Sequence, residues 1–303
     1  MTLWAFLSQV LSEDGSCREA VSRVIAHLGR RKEKTPSPHT GAYCRARQRL
    51  TEGLFQHLLA SSAADLEAQS RAQDRWCGKR VRAVDGSCIS MPDTSENQHA
   101  YPQPSSQAPG CGFPMLRLVV MVSLITGALL AHALGPLPES EMILFRRLLD
   151  ELGSDDLVLG DRYYGNFWVV ASLQQRGSDA LLRVAASRRS DFRRGRRLGK
   201  DDHLIVWRKP SVRPSYLTAE EYAAMPMELT LREIRGSLCA KGCRTRPVVL
   251  VTTLLDPRLM PARNYWNCMA ADGIANCGSG TSRSPCHWPY TGKVRNCNYR
   301  ESV

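Results

Sequence analysis

Asparagine is nearly missing from most of this 303-residue chain. The first 263 residues contain two, Asn97 and Asn166, whereas the last 40 contain five. Those last 40 residues contain no leucine, although leucine is abundant before them. Aromatic residues are few, at 7%. Acidic residues fall short of basic ones, 29 against 41, for a formal charge of +12 and a pI near 9.4. A chain this basic is expected to meet a polyanion. A clean apolar run of about 20 residues, the length needed to cross a bilayer, is also lacking. The longest candidate, residues 118–135, contains Ser123, Thr126, Gly127 and His132 and reads as two buried strands with a turn near Thr126-Gly127. The apolar start at Met1 carries no basic n-region and no small-residue cleavage site, so no signal peptide is expected. The 11 cysteines, an odd count without a secretion signal, suit reduced thiols and a cytoplasmic, nucleoid-associated location. Cys239 and Cys243 have half the spacing of a zinc site, with no convincing second half. No membrane and no small-molecule substrate are expected.

What is present falls into segments. Residues 1–75 read as helices, with apolar positions at helical spacing over 3–11, 17–28 and 42–59, the last carrying Arg45, Arg47 and Arg49. A short apolar strand, Val81-Arg82-Ala83-Val84, is read as ending in Asp85-Gly86-Ser87. Residues 92–114 are a polar, proline-containing loop, 139–152 an amphipathic helix, and Leu157-Val158-Leu159-Gly160 a second strand ending in Asp161-Arg162. With a helix over 166–176, the order β, ββ, α, β, α predicts a mixed α/β sheet covered by helices. From about 180 to 250 the pattern turns to strands, interrupted by a basic stretch that includes Arg188, Arg189, Arg193, Arg194, Arg196 and Arg197.

Asp85 and Asp161 each follow an apolar strand, and adjacent strand ends are where α/β sheets build sites. Two carboxylates aimed at one spot repel each other and attract hard divalent cations, Mg²⁺ or Mn²⁺. Such a pair of ions can activate an attacking oxygen and stabilise a leaving one in phosphodiester chemistry. The surrounding residues carry a resemblance. Arg82-Ala83-Val84-Asp85-Gly86-Ser87, then Met91-Pro92-Asp93-Thr94 with Asn97, then Tyr101-Pro102, and Gly110-x-Gly112-Phe113-Pro114-x-x-Arg117 resemble the first catalytic block of insertion-sequence-four transposases, a DDE family. Leu157-Val158-Leu159-Gly160-Asp161-Arg162-Tyr163-Tyr164 resembles the second block, and Val251-Thr252-Thr253-Leu254-Leu255-Asp256-Pro257 a later one. Each motif alone is weak; their order across residues 3–263 is specific.

The resemblance implies a ribonuclease-H-like core with a β-rich insertion, acting on DNA at terminal inverted repeats and at target DNA, and a homodimer on DNA is expected. It implies Mg²⁺ (or Mn²⁺) held by two Asp and one Glu, with Asp85 and Asp161 as the aspartates. Arg162 and Arg117 would be phosphate-facing, and Arg188, Arg189, Arg193, Arg194, Arg196 and Arg197 would contact DNA from the insertion. The expected organisation is a helical DNA-binding or dimerisation region over 1–75 and the catalytic core over 76–178. The insertion follows over 179–245, then the last core strand over 246–263, and an out-of-frame, disordered tail over 264–303.

That last expectation comes from the third carboxylate. The family places its Glu in a helix patterned Y-x2-R-x3-E-x6-K, which this chain lacks; its only glutamate after 263 is Glu301. The genetic code allows a test. If the third base of each codon is joined to the first two of the next, Tyr265-Trp266 forces a leucine, Trp266-Asn267 a glutamate, Asn267-Cys268 a leucine and Met269-Ala270 a glycine. Across 264–283 the shifted frame permits the whole pattern, with the Glu arising near Ala275-Asn276. The expectation is a transposase by descent that has lost cleavage. The alternatives are a non-catalytic DNA-binding fragment that inhibits active transposase, and an unstable product.

Overall fold

Apolar spacing of three and four residues gives the first 68 positions four helices: α1 (Thr2–Val10), α2 (Cys17–Arg30), α3 (Gly41–Arg47) and α4 (Glu52–Ala68). The computed structural model describes residues 1–185, 187–238 and 246–262. It divides into two compact units, Met1–Ser62 and a second beginning at Ala63. In the first unit, the Ser16 hydroxyl caps α2 by accepting from the Glu19 N–H at 3.1 Å. Ala5, Ala20, Val21, Val24 and Tyr43 form its core. The helix expected over 42–59 is two helices. The chain turns at residues 48–51, and Thr51, whose carbonyl accepts the Leu54 N–H, starts the second.

The second unit is built on one nine-stranded sheet, ordered β3-β2-β1-β4-β5-β9-β8-β7-β6. Its strands are β1 (Arg80–Ser90), β2 (Met115–Ser123), β3 (Leu129–Pro136), β4 (Asp156–Gly160), β5 (Asp179–Arg183), β6 (Arg196–Gly199), β7 (Asp202–Arg208), β8 (Glu228–Leu238) and β9 (Arg246–Thr252). Helices α5 (Ser95–Ala100), α6 (Glu141–Arg147), α7 (Phe167–Gln175) and α8 (Ala219–Ala224) accompany them. β1, β4 and β5 run parallel, and the other pairings are antiparallel. This is the mixed α/β sheet with flanking helices expected of a ribonuclease-H-like fold. Among the described residues, no helix is long and apolar enough to cross a membrane.

The central strands are buried on both faces, as parallel strands between layers must be. All five residues of β4 are buried. Val84, Val158, Ala180 and Leu182 join Phe145, Leu148, Phe167 and Val170 of the α6 and α7 region in one core. Val81, Ala83, Leu157, Leu159 and Leu181 alternate to a second core with Ile234, Leu250 and Met260. Each buried Val, Leu, Ile, Phe or Met side chain among them contributes roughly 1.5–3 kcal/mol.

Three local expectations change. β1 does not end at Asp85 but continues to Ser90, because residues 85–90 pair in register with β2 even though their side chains are polar. The proline-containing loop over 92–114 holds α5, capped by the Thr94 side chain. Arg196 and Arg197 lie in edge strand β6 rather than in a loop, since pairing with β7 satisfies one side of their backbone. β5 pairs parallel to β4 inside the sheet.

Candidate active site: carboxylates where two parallel strands part

The register of β1 on β4 builds the site. Val84 pairs with Gly160 at the last position of the parallel ladder. The next residue on each strand is an aspartate, Asp85 and Asp161, so one backbone register brings the two together. Past this point β1 leaves β4 and stays paired only with β2, with Asp85 opposite Val120. Buried ion pairs anchor the start of the same ladder. Asp156 is 1% exposed and accepts from Arg82 Nε at 2.9 Å, Arg80 Nη2 at 3.2 Å and the Gly153 N–H at 2.7 Å. Arg82 also binds Glu67 at 2.6 Å.

Both aspartates are shaped by local turns. The Gly86 N–H donates to Asp85 Oδ1 at 2.9 Å, and the Tyr163 N–H donates to Asp161 Oδ1 at 2.7 Å. Crowding that strips water from Asp85, reinforced by the charge of Asp161, pushes its carboxyl above the usual range; the Gly86 N–H opposes the shift.

A third carboxylate, Glu141, stands beside them, and the sequence reading assigned it no role. It opens α6 just after Ser140, which caps the helix through the Ile143 N–H. Its Oε1 accepts from the Tyr164 hydroxyl at 3.2 Å. A Cβ on residue 86 would lie 1.5 Å from that oxygen, so the glycine at 86 leaves the carboxylate its place. Loss of solvent and the charges of Asp161 and Asp85 raise the Glu141 carboxyl, partly offset by the Tyr164 bond and by Arg117. Burial and the same carboxylates push the Tyr164 hydroxyl well up, so it stays a donor. A helix-start glutamate is an ordinary capping-turn feature, which is why its sequence position carries no signal for the site. Among the described residues, no group of three His, Cys, Asp or Glu side chains is arranged to hold a metal ion. Cys239, Cys243 and the residues from 263 onward lie outside the described ones.

The raised carboxyls imply a direction for pH dependence. The folded chain holds these protons more tightly than the unfolded chain does. Stability is therefore lost as pH rises from about 4 through the raised values. Asp85→Asn is expected to raise the thermal midpoint at pH 7 by roughly 1–3 °C. The gain should vanish by about pH 3.5, where the wild-type carboxyls are protonated. An unchanged midpoint at pH 7 would mean that the carboxylates do not repel each other.

The basic residues separate into groups. Arg162 and Arg188 line one cavity of about 250 Å³, with Arg183, Arg235, Ser190 and Phe192. Four arginines and no acidic residue line it. Gly165 makes this convergence possible: a Cβ there would lie 1.8 Å from the Arg183 carbonyl oxygen, so only glycine lets the chain after Asp161 close onto the end of β5. Arg162 and Arg183 make no side-chain ion pair among the described residues, and the buried Ser190 hydroxyl has no hydrogen-bond partner. Arg188 is turned inward, its guanidinium 4.0 Å from the centre of the Trp207 ring, and desolvation lowers its pKa. Arg235 lies over Phe192 at 4.6 Å. Arg183 and Arg235 were missed by sequence, although Arg183 ends a strand just as Asp161 follows one.

The remaining predicted arginines point elsewhere. Arg117, on β2, donates to the Glu139 carbonyl at 3.0 Å, close enough to Glu141 to act on its charge. Arg193 and Arg194 both pair with Asp191, at 3.0 and 3.4 Å, and Arg197 donates to the Gly199 carbonyl. Arg189 and Arg196 are exposed. In the first unit, Arg47 reaches inward to Gln9 and Cys17.

Comparison with known proteins follows this geometry. A family model described as the transposase DDE domain matches residues 76–271. The transposase InsG for insertion sequence element IS4, from Escherichia coli strain K12, is 25% identical over 262 residues, covering 86% of this chain and 56% of that protein. The InsZ protein of the same strain is 26% identical over 137 residues, 45% of this chain and 46% of its own length. The chain thus spans about half the length of the curated relatives it matches.

Proposed function

Since the chain belongs to the DDE transposase family, we propose that it binds the DNA ends of an insertion sequence through its arginine cavity and presents Asp85 and Asp161 to the scissile phosphate. The observation that carries this reading is the paired register, which sets two aspartates side by side where β1 and β4 part, with Arg162, directly after Asp161, among the four arginines that line the cavity.

The two carboxylates supply hard oxygen donors that repel one another without a cation, a donor set suited to Mg²⁺ or Mn²⁺. Asp85 and Asp161 would hold the ions, which when bound activate the attacking oxygen and stabilise the leaving one. The protein's own groups do the rest. The Gly86 and Tyr163 amides fix one oxygen of each aspartate, which leaves the other free to turn outward. The Tyr164 hydroxyl holds Glu141 against Gly86. Arg162 and Arg183, with no side-chain ion pair among the described residues, offer bidentate contacts to phosphate oxygens. The first 75 residues are proposed to add DNA-binding or dimer contacts, and terminal inverted repeats and target DNA are the proposed substrates.

Strand cleavage is proposed to be lost in this chain. The family's glutamate has no counterpart at the matching spacing, and the shifted frame permits one. The product would then bind DNA without cutting it. Fluorescence anisotropy with the full chain and duplex DNA tests the binding. The double variant Arg162→Ala, Arg183→Ala is expected to weaken affinity at least about tenfold and to reduce the slope of log affinity against log salt by about 2. An unchanged affinity and slope would remove the cavity from the DNA path. Absence of binding by the wild type would reject the function itself.

A further inference from the structure

Cys17 and Cys44 face each other in the first unit. Cys17 is the first residue of α2 and Cys44 lies on α3, and their sulfurs are 3.9 Å apart. Both are half-buried, so a small oxidant can reach them. The Cys17 sulfur is held in place. Gln9 Nε2 donates to it at 3.6 Å and Arg47 Nη1 at 3.8 Å. Gln9 is in turn fixed by the Tyr43 hydroxyl, which donates to its Oε1 at 2.6 Å, and by its own bond to the Gly15 carbonyl. A disulfide needs the sulfurs at about 2.05 Å. The disulfide requires that rotation of the two side chains close that gap.

We propose that Cys17 and Cys44 are a reversible redox pair, joined as a disulfide when the protein meets hydrogen peroxide. One thiolate attacks the peroxide, breaking the O–O bond and leaving a sulfenic acid and hydroxide, which is protonated to water. The second sulfur displaces the sulfenic hydroxyl, which leaves as a second water. Two thiols are oxidised by two electrons, and one peroxide is reduced. Oxidation to the Cys17–Cys44 disulfide staples the N-terminal unit.

The test uses the full reduced chain, limiting peroxide, alkylation of remaining thiols, and mass spectrometry of tryptic peptides. The expected product joins residues 1–18 to residues 35–45, with loss of two hydrogens and full reversal by dithiothreitol. In Cys44→Ser, the Cys17 sulfenic acid should persist and be trapped by dimedone. Recovery of Cys17 and Cys44 as separate alkylated or sulfinic residues, while Cys77 and Cys111 oxidise, would overturn the proposal. The wild-type measurement stands whether or not the variant folds, and the result does not depend on DNA binding or cleavage.

Discussion

Read in the shifted frame from codon 264, the chain is expected to nick plasmid DNA carrying the element's ends, with Mg²⁺, at least about 10³-fold faster than the present chain. The physical basis is charge. In the proposed site, two aspartates would supply part of the ligand set for two divalent ions, and a third carboxylate would be needed to hold both at the spacing that in-line displacement requires. Glu141 is close enough to shift the balance of charge, but it is committed to the Tyr164 hydroxyl and the surface of Gly86. Asp85→Asn in the frame-restored chain should return the rate to background. Equal nicking by the present and restored chains would show that no out-of-frame glutamate is needed, and would make Glu141 the group to replace next. The nucleotide sequence across codons 255–303 bears on the same point: a continuous Y-x2-R-x3-E-x6-K helix in another frame is the expected finding.

Asp156→Ala is expected to destabilise the second unit by about 3–5 kcal/mol, the cost of leaving a buried charge unpaired. Arg82 is 5% exposed and would keep only Glu67, while the Gly153 N–H and Arg80 would lose their acceptor. The effect should reach the candidate site, because this network sets the start of the ladder whose last pair is Val84 with Gly160. Urea unfolding followed by near-ultraviolet circular dichroism measures it. A loss under about 1 kcal/mol would mean that water replaces the carboxylate and that the ladder is held by the apolar core alone. Asp156→Asn separates charge from hydrogen bonding: it should fall between wild type and Ala.

Sequence alone determined the elements that rest on periodicity. The apolar runs at 81–84 and 157–160 could be little else than buried strands, and the helical spacing of 17–28 and 166–176 marks α2 and α7. It also singled out Asp85 and Asp161, since an acid directly after a buried strand is exposed on only one side. Charge composition pointed to a polyanion for the same reason: it needs no coordinates.

Tertiary structure decided what depends on partners distant in sequence. The extension of β1 to Ser90 follows from pairing with β2, not from its own polar side chains. Arg183 and Arg235 meet Arg162 and Arg188 only because β5 and β8 flank β9 in the sheet and because Gly165 allows a close approach. Glu141 enters the carboxylate cluster only because α6 packs across the sheet beside Gly86. Local periodicity reports which side of one segment is buried; it holds no information about which other segment buries it, and sites built between segments are set at that second step.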